Sequence, residues 1–178
     1  MNKEIIKSGL ILGLISIAMT VLVYVVDETL MVKLWYGLIA LALSLFLVSY
    51  LGIKYRNEHT GGFMSFGQAY GFSIVAMITS GIVSTIFMIL LYSVIDPELP
   101  QVLGDAAYEQ SLAMMKSFGA DPDSLDDDML DKMREDSMAR FGVMGSVKGL
   151  IGVVIGSAIL SLITGLIIKR KEPENEIR

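Results

Sequence analysis

The chain has no cysteine and one histidine among its 178 residues, and both shortages exclude several kinds of site. Without cysteine there is no disulfide, no thiolate metal ligand and no cysteine nucleophile. A lone His59 does not supply the several imidazoles of a histidine-rich zinc centre within one chain. His59 beside Glu58 is a poor acid–base pair, because no nucleophile or second histidine accompanies it. The sequence therefore predicts no enzyme, no metal site and no cofactor.

Charge is also scarce, and long stretches have none. Charged residues make up 19% of the chain and hydrophobic residues 53%, whereas a soluble domain has about 25% charged residues. Uncharged runs cover residues 8–26, 34–53, 60–95 and 149–168. About 20 apolar residues in an α-helix span the roughly 30 Å hydrocarbon core of a bilayer. This pattern indicates an integral membrane protein whose first partner is the lipid bilayer, and the net charge of −5 argues against nucleic acid.

Residues 8–26 have two interpretations, a retained transmembrane helix or a secretory signal peptide. The apolar region of a signal peptide has about 7–15 residues and precedes a small-x-small cleavage site. This run is longer and ends in Tyr24, Val25 and Val26, with no such site. Its length and its end favour a retained helix.

The predicted fold is all-α, one integral membrane domain over residues 1–178. Four crossings are expected, at about residues 8–26, 34–53, 70–92 and 149–168. Since the run 60–95 is too long for one simple crossing, we expect residues 60–69 to be interfacial, re-entrant or part of the third helix. Asp96-Pro97 ends the third crossing, because proline disfavours the helical conformation of the residue before it.

Between the third and fourth crossings lies an acidic insert, residues 96–140, with twelve Asp/Glu and four Lys/Arg. Residues 105–118 place Tyr108, Leu112 and Met115 on one face of a predicted helix. A second helix is expected to begin at Ser124, which resembles the first residue of a capping box. Helices this short are marginal alone, so we expect them to pack on each other, on the membrane surface or on a protein partner.

Two side-chain clusters in the insert admit a metal interpretation. The acidic run lacks the glycine and terminal glutamate of an EF-hand calcium loop, so a solvated helix start is the better interpretation. Methionines suggest either a soft-metal site or an adaptable apolar face, and we favour the face. The acids are Asp121, Asp123, Asp126, Asp127, Asp128 and Asp131, and the methionines are Met114, Met115, Met129, Met133 and Met138.

Residues 141–168, uncharged apart from Lys148, have a stripe of glycines spaced three, four, three and four residues apart. Such a stripe lets helix backbones approach closely in lipid. A homo-oligomer interface, a pore lining and packing within the chain all use this property, and packing is the simplest. The candidate helix-packing residues are Gly142, Gly145, Gly149, Gly152 and Gly156.

Lys/Arg bias near the ends of apolar segments predicts orientation. With four crossings, both termini and the loop after the second crossing lie on one side. That side has Lys3, Lys7, Lys54, Arg56 and the basic residues from Lys169 onward, whereas the other side has Lys33 and five more from the insert to Lys148. Both termini are therefore predicted to be cytoplasmic and the insert extracytoplasmic.

Taken together, several features resemble the domain-of-unknown-function family 4199 of bacterial integral membrane proteins. They are the short basic start, residues 63–69 (FMSFGQA), Asp96-Pro97, the acidic insert and the apolar segment that ends in Lys169-Arg170-Lys171. The resemblance implies a four-crossing protein of the bacterial cytoplasmic (inner) membrane. It brings no activity and no binding residues.

Two functions remain open. A non-enzymatic accessory protein would bind a protein partner through the insert. A small oligomeric channel or transporter would carry a neutral solute. Apart from Lys148, near an end, no charged residue or histidine lies within the four predicted crossings, and ion-coupled transporters usually place one there.

Overall fold

The computed structural model describes residues 3–172, apart from the side chain of Asp123, and its regular elements are all helical. Residues 1–2 and 173–178 of the predicted domain lie outside the described part. The α-helices are α1 Lys3–Asp27, α2 Leu34–His59, α3 Phe66–Leu90, α4 Leu99–Ser117, α5 Asp127–Ala139 and α6 Gly142–Ile168. Short 3-10 segments cover Glu28–Val32 and Pro122–Ser124, and a π-helical turn covers Leu91–Ile95. The all-α prediction is confirmed.

Within the described chain, four helical segments are long and apolar enough to cross a membrane. They are Lys3–Val32, Leu34–His59, Phe66–Ile95 and Gly142–Ile168. Each predicted crossing lies inside one of them. Large apolar side chains stand outward along these helices, for example Leu22, Phe46 and Ile151, each about two-thirds exposed at 67%, 65% and 67%. Outward apolar surface of this kind is typical of helices that face lipid.

The third helix begins earlier than the predicted crossing. Ser65 and Gln68 form a capping box. The main-chain N–H of Ser65 donates to Gln68 Oε1 (2.9 Å), and the main-chain N–H of Gln68 donates to Ser65 Oγ (3.3 Å). Residues 66–69 are therefore part of α3. The turn before it contains Gly61 and Gly62, whose φ angles of 65° and 85° favour glycine.

By its internal contacts the chain divides into two compact units. The first unit comprises the described parts of Met1–Ser16, Leu41–Val83 and Gly152–Arg178. Its core centres on Phe72 and Ile168, which are 1% and 0% exposed. Gly52 lets them approach, since a side chain there would collide with Ile168 and press on Phe72. The remaining core residues are Leu12, Val48, Met64, Ala69, Ala76 and Met77.

The second unit comprises Ile17–Ala40 and Ser84–Ile151. Its core is formed by Leu91, Tyr92, Leu99 and Leu103. Partly buried residues from other elements pack against them: Tyr24, Met31, Val32, Phe87, Met88 and Phe141. This unit contains α4 and α5, the two helices within the predicted insert.

Candidate functional site

Helices α4 and α5 form a helical hairpin, residues 99–139, referred to below as the hairpin. Gly104 on α4 faces Met138 on α5, and a Cβ atom at Gly104 would lie 2.6 Å from Met138 Sδ and 3.1 Å from its Cα. Asp105 and Arg134 form an ion pair at 2.9 Å. The close approach that glycine permits, with the ion pair, fixes α5 against α4.

The base of the hairpin is anchored in the second unit. Leu99 and Leu103 are each 1% exposed within the core described above. Asp96 organises the approach to α4: its Oδ2 accepts the Tyr24 hydroxyl (3.0 Å), and its Oδ1 accepts the amides of Glu98 (3.2 Å) and Leu99 (3.1 Å). The carboxylate thus binds α1 and the first turn of α4 together. The helix begins six residues before the predicted start at Asp105, because Asp96 accepts the amide of its first residue and Leu99 and Leu103 are buried.

The outward surface of the hairpin is acidic with isolated apolar side chains. Phe118, which follows the last residue of α4, is 83% exposed, and Met129 on α5 is 54% exposed. An aromatic side chain this exposed contributes little to the core, and aromatic residues are enriched at protein interfaces. The exposed acids of α5 and its cap are Asp126, Asp127, Asp128, Asp131, Glu135 and Asp136.

The predicted acidic run is distributed along a helix start. Asp126 caps α5, because its Oδ1 accepts the Met129 amide at 2.8 Å, and Asp127 and Asp128 occupy the first turn. Negative charge at these positions is stabilised by the free amides of a helix N-terminus. Within residues 3–172, no three His, Asp or Glu side chains are grouped to hold a metal ion. The side chain of Asp123 lies outside the described part.

The five stripe glycines have different surroundings. Gly142 opens α6 with φ 87°, and Gly145 is buried where a side chain would strike the carbonyl of Arg140. Gly149, Gly152 and Gly156 each face open space: in the described part of the chain, an added Cβ would have no atom of another element within 4 Å. These three glycines therefore do not pack against another element of the described residues, and their role in helix association stays a prediction.

Other glycines do pack helices in the first unit. A Cβ at Gly9 would lie 2.6 Å from Thr79 Cβ, and one at Gly13 would lie 2.9 Å from Val83 Cβ, so α1 and α3 approach closely there. Gly81 meets Val153 of α6, and Gly165 lies close to Tyr70 of α3. The Gly9 and Gly13 spacing is visible in the sequence, but Gly52, Gly81 and Gly165 are isolated and carry no such signal.

His59 lies beside a cavity of about 120 Å³ in the first unit. Its ring is tilted against Tyr55 at a centroid distance of 5.0 Å. The charged residues around the cavity are paired along their own helices, Lys7 with Glu4 at 3.7 Å and Lys54 with Glu58 at 4.0 Å. Ser8, which also lines the cavity, donates its hydroxyl to the Glu4 carbonyl.

Comparison with known protein families gives a match over nearly the whole chain. The sequence model of a family described as "Protein of unknown function (DUF4199)" matches residues 7–170, nearly the whole chain. No curated protein and no solved structure matches the chain.

Proposed function

The chain belongs to the DUF4199 family, and we propose that it is a non-enzymatic accessory protein of the bacterial cytoplasmic membrane. In this role it binds a protein partner through the outward surface of the hairpin. Four membrane-length helices hold the protein in the bilayer. The Lys/Arg bias supports cytoplasmic termini and an extracytoplasmic hairpin.

The observation that carries this proposal is the contrast between the two sides of the hairpin. On its inner side, Leu99 and Leu103 are buried in the core of the second unit, and Gly104 is buried against Met138 within the hairpin. Its outer side has exposed acidic residues and the exposed Phe118 ring. A surface held in place before binding loses less conformational entropy when a partner docks. Charge complementarity then favours a partner with a basic surface and an apolar pocket for Phe118.

Photo-crosslinking from the membrane tests this proposal. A photoreactive amino acid replacing Phe118 is expected to form a discrete adduct with a second protein. Neutralising α5 with Asp127→Asn, Asp128→Asn and Asp131→Asn should reduce that adduct at least tenfold, because three of the exposed charges are lost. The matched control is Glu4→Gln with Glu58→Gln and Glu172→Gln, three acids of the first unit, which should leave the adduct unchanged. An adduct that survives the α5 variant, or no adduct at all, would refute the role of the hairpin.

One observation favours the second candidate, a small oligomeric channel for a neutral solute. Gly149, Gly152 and Gly156 leave an open, small-residue strip along α6 that a second copy of the chain can approach closely.

The channel candidate is tested by substituting one of these glycines. Under this candidate, Gly152→Ile should remove homo-oligomers detected by native mass spectrometry and abolish solute flux into reconstituted vesicles. Gly37→Ile is the control, because Gly37 also faces open space but lies outside the stripe. Flux that depends on Gly152 and not on Gly37 would assign the protein as a channel. Absence of flux from the unmodified protein is the result that the accessory role predicts.

A further inference from the structure

A second cavity of the first unit, about 690 Å³, lies where α6 ends and the turn before α3 begins. It has a basic side formed by Arg170 and Lys171, with one carboxylate, Glu172. Its polar side includes Ser65 and Gln68, and Phe63 contributes an apolar wall. A cavity with cations, neutral hydrogen-bonding groups and an apolar wall matches an amphipathic anion.

Arg170 is held in this cavity by its main chain and its ring contact. Its amide donates to the Met64 carbonyl (2.9 Å), and its carbonyl accepts the Met64 amide (2.8 Å). The guanidinium lies 5.7 Å from the centroid of the Phe63 ring, within cation–π distance. The Arg170 guanidinium is therefore held in place while its N–H groups donate to no carboxylate of the described residues.

Among the residues that the structure describes, no ion pair neutralises the positive charge at this cavity. In residues 3–172, the basic residues paired with a carboxylate within 4.0 Å are Lys7, Lys54 and Arg134. Arg56 directs its guanidinium to the Ile168 carbonyl instead (2.7 Å). Lys169, Arg170 and Lys171 thus form a run of three cations, none of which is paired with a carboxylate of the described part of the chain.

The three cations directly follow the end of α6, and this position indicates which negatively charged group they would meet. α6 ends at Ile168, after a run of uncharged residues long enough to cross a bilayer. Leu166 and Ile167, just before the cations, are 56% and 51% exposed. Apolar surface next to unpaired cations at the end of a membrane-length helix matches the level where acyl chains meet headgroup phosphates.

We propose that this cavity binds the headgroup of an anionic phospholipid. Arg170 donates to the phosphate oxygens, which guanidinium groups bind in a bidentate manner, and Lys171 adds a second cation. The Ser65 hydroxyl and the Gln68 amide nitrogen retain donors for the remaining headgroup oxygens, since the capping box uses their acceptor oxygens. The acyl chains lie along Leu166 and Ile167. This inference is independent of the hairpin and of its partner.

The test is a titration of the purified full chain in mild detergent, with bound lipid counted by native mass spectrometry. The probes are phosphatidylglycerol, zwitterionic phosphatidylcholine and inorganic phosphate. Phosphatidylglycerol is expected to bind at least tenfold more tightly than phosphatidylcholine, and inorganic phosphate should not displace it at equal concentration. Because each juxtamembrane cation contributes about fivefold, Arg170→Gln with Lys171→Gln should lower the affinity at least tenfold.

Two further variants make the result specific. Lys7→Gln with Lys54→Gln removes the same charge from the same unit, but at residues already paired with glutamates, and should change the affinity less than threefold. Lys171→Gln alone, at a residue outside the main-chain pairing with Met64, should lose about fivefold with unchanged helical circular dichroism. Equal losses in both double variants, no preference for phosphatidylglycerol, or displacement by inorganic phosphate would each overturn the proposal.

Discussion

Arg56 shows how one charged side chain is accommodated in a helix that the sequence marks as membrane-length. It is only 9% exposed, and its Nη1 donates to the Ile168 carbonyl at 2.7 Å. Nε and Nη2 both donate to Asn57 Oδ1 at 3.3 Å. The last carbonyls of α6 carry partial negative charge and lack helical partners, so the guanidinium satisfies one of them and secures the end of α6 to α2.

Replacing Arg56 with glutamine should destabilise the first unit. The shorter side chain leaves the buried Ile168 carbonyl unpaired, which costs about 1–3 kcal/mol. The free energy of unfolding in mixed micelles is the measurement. Lys54→Gln is the control: its side chain is 57% exposed in a 4.0 Å ion pair with Glu58, so its loss should cost less than about 1 kcal/mol. Equal losses in the two variants would contradict the structural role given to Arg56.

The sequence alone does not predict a role such as that of Arg56. In the sequence, the stretch from Lys54 to His59 is a polar break with several neighbouring charges. Periodicity does not show which of these charged side chains is buried. Ser49 and Ser73 are similar, since both hydroxyls are buried without a hydrogen-bond partner in the described chain. Neither stands out from other serines within apolar runs.

The start of α5 illustrates what differs between predicted and observed elements. Ser124 was the expected cap, but it lies in the 3-10 segment Pro122–Ser124 and donates its hydroxyl to the Asp121 carbonyl (2.6 Å). Asp126 caps the helix instead, with an extended backbone (φ −73°, ψ 158°). The prediction of Ser124 as cap was wrong. Serine and aspartate side chains are both suitable caps, so the sequence does not choose between Ser124 and Asp126, and the preceding turn decides which of them caps the helix.

The cap assignment predicts unequal effects of two alanine substitutions. Asp126→Ala removes the acceptor for the Met129 amide and should destabilise α5 by about 0.5–2 kcal/mol. Ser124→Ala removes a turn hydrogen bond outside the helix and should leave the protection of α5 nearly unchanged. Amide hydrogen exchange along the hairpin measures both. Faster exchange of α5 in the serine variant than in the aspartate variant would show that the cap is Ser124.

Long elements were predictable because their signal is composition over many residues. Each of the four apolar runs is long enough to require a helix wherever it crosses a bilayer. Helix bounds and close helix contacts depend on tertiary structure and were not predictable. Helix α4 extends back to Leu99 because Leu99 and Leu103 are buried, and Gly52 is needed because Ile168 lies against it. The stripe from Gly142 to Gly156 is regular in sequence, but a stripe alone does not name its partner.

For the whole molecule, charge is distributed unevenly along the chain. The hairpin and its connections, residues 96–140, contain twelve acids, whereas the end of α6 continues into three consecutive cations. With an even number of crossings, the proposed orientation places the hairpin outside the cytoplasm and both chain ends inside it. In that orientation, the proposed accessory role has the hairpin meet its partner on the extracytoplasmic side of the membrane.

The absence of cysteine makes this orientation directly measurable, because any single introduced cysteine is the only thiol in the chain. Ser124→Cys lies in the hairpin and Glu58→Cys lies near the end of α2, and both positions are exposed. A membrane-impermeant maleimide added to intact spheroplasts should label Ser124→Cys at once and Glu58→Cys only after permeabilisation. Labelling of Glu58→Cys alone, or of both cysteines equally in intact spheroplasts, would contradict a four-crossing protein that presents its hairpin outside the cytoplasm.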